Sequence, residues 1–156
     1  MERIDGIDKI DGILEARLRD FQAGRIHCAE CVLSVMAEFY GICDPMIPRV
    51  ATAFGGGIVG QQNACGAYTG GAMVIGLLMG RDKPGGDREP AYAACEKLRA
   101  FIMERNGGVN CREIVGDWDF AGRREEFRAE GGAHQTVCEP LVEAVCRYLA
   151  HTLPRE

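Results

Sequence analysis

Four of the eight cysteines in this 156-residue chain, Cys28, Cys65, Cys111 and Cys138, each fall where the sequence predicts the start of a helix. A helix start presents unpaired backbone N–H groups and the positive end of the peptide dipole, and both favour a thiolate over a thiol. The thiolate is the form that binds metals and attacks disulfides. If the fold gathers the four helix starts, it makes a pocket suited to a soft metal, an iron–sulfur centre or redox-active thiols. Soft sulfur ligands select zinc, copper(I) or iron–sulfur clusters, and four of them from four segments suit a 2Fe-2S or 4Fe-4S cluster or a tetrahedral zinc ion. No paired Asp, Glu and His motif points to a harder metal.

The remaining chemistry-bearing residues divide more evenly. Cys28-Ala29-Glu30-Cys31 is a CxxC pair on consecutive helical turns, able to form a redox disulfide or give two ligands to one metal. Val32 follows it where covalent c-type haem attachment would require His. Cys95 and Cys146 sit within helices beside apolar positions and read as core, while Cys43, in a turn between Gly41 and Pro45, stays undecided. His27 and His134 stand near Cys28 and Cys138, and read first as surface or capping residues and second as ligands. The loop Phe54-Gly55-Gly56-Gly57-Ile58-Val59-Gly60 lacks the Lys and the preceding strand of a phosphate-binding loop, so it reads as a close backbone approach to the cysteine site. The six methionines lack a repeated Met-x-x-Met and read as core, and Tyr68 and Trp118 either line a pocket or pack.

Composition bounds the setting. A chain of this length is most simply one domain over residues 1–156, and it buries enough surface to fold without disulfides. A net charge of −5 with no basic stripe argues against nucleic acid or an anionic membrane as partner. The most apolar stretch, residues 66–79, is shorter than the roughly 20 residues that cross a bilayer, so no membrane span is expected. The acidic N-terminus does not read as a secretory signal, which makes the cytoplasm the expected location and metal or redox use the expected role of eight reduced thiols.

The elements that must position these residues are helical. Ile4, Ile7, Ile10, Leu14, Leu18 and Phe21 recur at helical spacing, and a second helix bears Val32, Val35, Met36, Phe39 and Tyr40 before Gly41. A short helix leads from Pro48 to Phe54. Residues 65–80 are apolar on every side, as in a helix enclosed by others, with Gly66/Gly70 and Gly76/Gly80 placed for close backbone approach. Pro90 opens a helix with Tyr92, Leu98, Phe101 and Ile102 on one face, and Asn110 caps a short one at Cys111. Residues 117–132 read as loop or frayed helix, and Thr136 with Glu139 forms a capping box before the last helix. With no period-two alternation, the expected fold is all-α, an irregular bundle of about five or six helices around a buried Gly-rich central helix.

The order Cys28-Ala29, Phe54-Gly55-Gly56-Gly57, Cys65-Gly66-Ala67-Tyr68-Thr69-Gly70, Asn110-Cys111-Arg112-Glu113 and Cys138 resembles the redox-active family named for its C, CGAxxG, C and C pattern. The likeness runs from about residue 24 to residue 146 and extends to the cluster-bearing part of the split-Soret cytochromes, without their haem motif. It implies a small helical protein with an electron-transfer or iron–sulfur role. By position, Cys28, Cys65, Cys111 and Cys138 are the implied ligands or active thiols, with Gly66 beside them, and Cys31 falls where most relatives would carry another residue.

Together these readings favour an electron-transfer protein holding a 2Fe-2S cluster, with 4Fe-4S as a variant, and passing single electrons to a redox partner protein. A thiol–disulfide enzyme or sensor using Cys28 and Cys31 is one alternative, and a structural zinc module binding another protein is a second. Exposed apolar helix faces leave a homodimer open.

Overall fold

The computed structural model describes residues 2–155, with side chains from Asp8 onward; the apolar positions Ile4 and Ile7 lie outside the described side chains. The chain is all-α. Six helices of nine residues or more, α1 (Glu2–Gln22), α2 (Cys28–Phe39), α3 (Gly66–Met79), α4 (Glu89–Asn106), α6 (Phe120–Arg128) and α7 (Glu139–Thr152), are joined by the five-residue α5 (Cys111–Val115). A 3-10 turn covers Arg49–Phe54 and a wide π-turn covers His134–Cys138. Among the described residues there is no strand, only an isolated antiparallel bridge between Ala64 and Asn110. None of the described helices is long and apolar enough to cross a membrane.

The core is built around α2. Its apolar residues sit on nearly all sides of the helix, and it packs against α1, α3 and α7. From α1, Ile10, Ile13, Leu14 and Phe21 enter the core at the spacing that puts them on one face. Gly41, at φ +70°, turns the chain away after α2 in the left-handed conformation that glycine adopts without penalty.

Helix α3 packs on α2 through its glycines. A Cβ at Gly70 would meet the Ala29 carbonyl oxygen at 2.7 Å, and one at Gly71 would meet Leu98 of α4 at 2.6 Å. Each interior glycine costs about 1 kcal/mol of helix propensity against alanine, and here close helix contact offsets it. The second glycine pair behaves differently. A Cβ at Gly76 would meet nothing, and Gly76, Leu77 and Gly80 face solvent, so α3 is buried only over its first part.

Three further expectations change. Tyr92 is exposed beneath the Arg88 guanidinium, while Leu98 and Ile102 carry the inner face of α4. Residues 117–132, expected as loop or frayed helix, contain α6, capped by the Asp119 carboxylate accepting from the Gly122 N–H at 3.2 Å. The Thr136–Glu139 capping box does not form, because the helical backbone starts at His134. The Thr136 hydroxyl donates to the Gly132 carbonyl at 3.0 Å instead.

Candidate functional site

Cys28, Cys65, Cys111 and Cys138 line one cavity of about 340 Å³. A cavity of this size falls at the small end of natural ligand pockets. Cys28 is the first residue of α2, Cys65 stands just before α3, and Cys111 is the first residue of α5. Cys138 differs from the expected placement: it closes the π-turn and runs straight into α7, so it does not sit at a free helix start.

Two of the cysteines are carried on adjacent segments by a short backbone pairing. The Cys65 N–H donates to the Val109 carbonyl at 2.8 Å, and the Cys111 N–H donates to the Asn63 carbonyl at 2.7 Å. Gln62 ties the next segment to this pair. Its buried side chain donates to the Gly116 carbonyl at 2.7 Å and to the Cys111 sulfur at 3.8 Å, and accepts from the Trp118 N–H at 2.9 Å. At the Asn110 turn the Glu113 carboxylate accepts the Asn110 N–H at 3.1 Å, and Glu30 does the same for His27 at 2.7 Å ahead of Cys28.

Cys28 is held by backbone alone. The amides of Gly56, Ala29 and Gly66 are directed at its sulfur, and a Cβ at Gly66 would overlap that sulfur. The Gly56 amide is delivered by a left-handed turn that includes Ile58 at φ +67° and Val59 at φ +44°. Branched side chains there cost roughly 1–2 kcal/mol each, and strain of this kind collects at functional sites. The loop thus makes the close approach its sequence suggests, with Gly55, Gly56, Gly57 and Gly60 on the cavity wall.

The electrostatics correct the thiolate expectation. Burial raises the Cys28 pKa against the pull of its amides, and burial followed by the neighbouring Cys28 pushes Cys65 up to about 12. Burial raises Cys111 despite the Gln62 N–H, and burial together with the other three sulfurs raises Cys138. Desolvation and mutual repulsion outweigh the helix starts and hold the four groups toward the thiol form in the empty cavity. Their mutual influence also marks how near they lie to one another.

Cys31 is fully buried, faces the Arg17 carbonyl at 3.8 Å and is not on the cavity wall. Cys146 is core and Cys43 is exposed. Cys95 is half-buried beside the Tyr68 hydroxyl at 3.9 Å, away from the cavity. No two cysteines are joined. His27 and His134 both line the cavity, and His134 is buried, contrary to the surface role its sequence suggested. Its Nε2 has no hydrogen-bond partner, and burial with the nearby Arg128 lowers its pKa to about 4.

Sequence reasoning missed Gln62, Arg124, Arg128, Phe120 and Phe127. Arg124 and Arg128 bring positive charge to the cavity, and Arg128 also ties α6 to the end of α1 through the Phe21 and Gln22 carbonyls at 3.0 and 3.1 Å. Phe120 and Phe127 cover the cavity from α6, their rings edge to face at 4.9 Å, with Trp118 against Phe127. Phe120, Arg124, Phe127 and Arg128 sit in a charged stretch without apolar periodicity, and Gln62 in a short polar loop, so no local signal identified them.

The donor set is sulfur-rich. Among the described residues no three His, Cys, Asp or Glu side chains stand close enough to hold one ion. Four sulfurs from four segments and a buried imidazole without a hydrogen-bond partner share one cavity wall, a donor set of the soft kind.

No curated protein and no solved structure matches the chain. A family model described as "Putative redox-active protein (C_GCAxxG_C_C)" matches residues 26–152. The family's name has GCAxxG where this chain has Cys65-Gly66-Ala67-Tyr68-Thr69-Gly70. With the match spanning all four cavity cysteines and most of the sequence, the chain belongs to this redox-active family.

Proposed function

We propose that the protein is an electron carrier whose cavity holds an iron–sulfur centre through cysteine sulfurs, and that it exchanges single electrons with a redox partner protein in a reducing cytoplasm. The observation that carries this reading is the meeting of Cys28, Cys65, Cys111 and Cys138, from four segments, on the wall of one cavity. When bound, such a centre supplies reversible one-electron storage.

Residues of the chain have definable tasks in this reading. The amides at Cys28 and the Gln62 N–H at Cys111 stabilise negative sulfur and favour the reduced state. Arg124 and Arg128 offset the negative charge that ionised thiols would bring into a buried site. Phe120 and Phe127 keep water from the sulfurs. Gly66 leaves room for the Cys28 sulfur.

Anaerobic reconstitution with iron and sulfide tests it. A brown protein with visible charge-transfer absorbance and matched iron and sulfide supports the reading. An iron-to-sulfide count of two each per chain gives the favoured 2Fe-2S form, and four each the 4Fe-4S form. A colourless, iron-free product with intact thiols sinks it, and tightly held zinc that survives reconstitution does the same.

A further inference from the structure

We propose that His134 bonds the metal centre through Nε2, in the place that the Cys138 sulfur would otherwise take. This rests on the reading above that the cavity holds such a centre.

Three observations converge on it. First, His134 lines the cavity at 5 % exposure, and its Nε2 is buried with no hydrogen-bond partner. A buried polar atom left unpaired is costly, and a bound metal is one way to satisfy it.

Second, the ring is packed between aromatic neighbours, with a carboxylate on its other side. Glu139 Oε1 lies 3.7 Å from Nδ1, and Gln22 holds the other carboxylate oxygen at 3.4 Å. Phe21 packs on the ring at 4.3 Å between centroids, and Phe127 meets it edge-on at 5.9 Å. The carboxylate lies on the Nδ1 side, beyond hydrogen-bond reach, and Nε2 is the buried ring nitrogen left without a partner.

Third, the four sulfurs are not equivalent. Cys28 has the amides of Gly56 and Gly66, Cys65 those of Ala67 and Tyr68, and Cys111 has the Gln62 side chain. Cys138 is dominated instead by burial and by negative neighbours, the other three sulfurs and Glu139. Metal-bound thiolates are normally supported by N–H donors. The π-turn carries His134 and Cys138 at its two ends, and one-turn π segments are frequent at functional sites.

The test is pulsed electron paramagnetic resonance on the reduced, iron- and sulfide-reconstituted full chain, grown with ¹⁵N-histidine. Strong histidine nitrogen coupling that persists in His27→Gln and disappears in His134→Gln supports the proposal. So does Cys138→Ser retaining the cluster and the coupling while Cys65→Ser loses the cluster. A cluster in the unmutated protein with no histidine nitrogen coupling overturns the proposal and leaves the iron–sulfur reading standing. Failure of the unmutated protein to take up iron overturns both. The unmutated, labelled protein carries the main readout, so the outcome does not depend on any variant folding.

Discussion

Gly66 and Cys28 meet with no side chain between them: the Gly66 amide is directed at the Cys28 sulfur, and a Cβ on Gly66 would overlap it. Gly66→Ala must therefore push α2 and α3 apart or turn the sulfur out of the cavity. The expected loss is about 1–3 kcal/mol of folding stability, typical of overpacking, with reduced iron uptake. Denaturation midpoints and iron content together check it. Unchanged stability and full uptake would show that the contact is not tight.

The thiols' raised pKa values set a pH dependence for the empty protein. Cys65 moves from its ordinary value of 9.0 to about 12 on folding. A group raised in this way favours the fold fully below its unfolded pKa, and that contribution is lost as pH climbs from about 9 toward about 12. Urea midpoints measured from pH 8 upward should fall, and fall less steeply in Cys65→Ser. Parallel curves for the two proteins would contradict the shift.

Metal binding should run the other way with pH. Each cavity cysteine that binds as thiolate gives up about one proton, so affinity for a thiophilic ion rises as pH rises through neutrality. Iron uptake measured during anaerobic reconstitution with iron and sulfide at several pH values checks the sign. Binding that is flat with pH would mean that the sulfurs are already ionised.

Gln62 holds Gly116 and Trp118 to the Cys111 sulfur, and its loss leaves buried groups unpaired. Gln62→Leu is expected to cost about 1–3 kcal/mol and to loosen the segment that leads into α6. Faster hydrogen exchange at the Trp118 amide is the specific readout, because global destabilisation alone would not single it out.

Val59 is two-thirds exposed at φ +44°, so little packing opposes relief of its backbone strain. Val59→Gly should raise stability by roughly 0.5–1 kcal/mol, the strain removed less the added flexibility of the unfolded chain. A fall in denaturation midpoint would mean that the left-handed turn is not strained there.

Much of the scaffold was legible because its signals are local. The spacing of Ile10, Leu14 and Phe21 gave α1, Gly41 marked a helix end, and Asn110 marked the start of α5. Gly66 and Gly70 were legible as contact points because small residues at that spacing have few other uses in a helix. The placement of the cysteines along the chain was readable, but their ionisation was not. A helix start is a sequence feature, whereas burial by Phe120, Phe127 and neighbouring sulfurs is a property of the assembled cavity. His134 was misread for the same reason: its environment comes from Phe21, more than a hundred residues earlier. The π-turn hid as well, since Thr136 and Glu139 carry a normal capping pattern that the extra turn from His134 bypasses.

The backbone pairing of residues 62–65 with 109–112 closes the long excursion through α3 and α4 into a ring. Cys65 and Cys111 sit at its neck, so their spacing is indifferent to how much chain the ring contains. Lengthening or rebuilding the exposed segment around residues 81–88, at the far end, should leave the two sulfurs where they are, while a single residue added at the neck would throw them out of register. The architecture separates a part free to diversify from a part that tolerates no change in length.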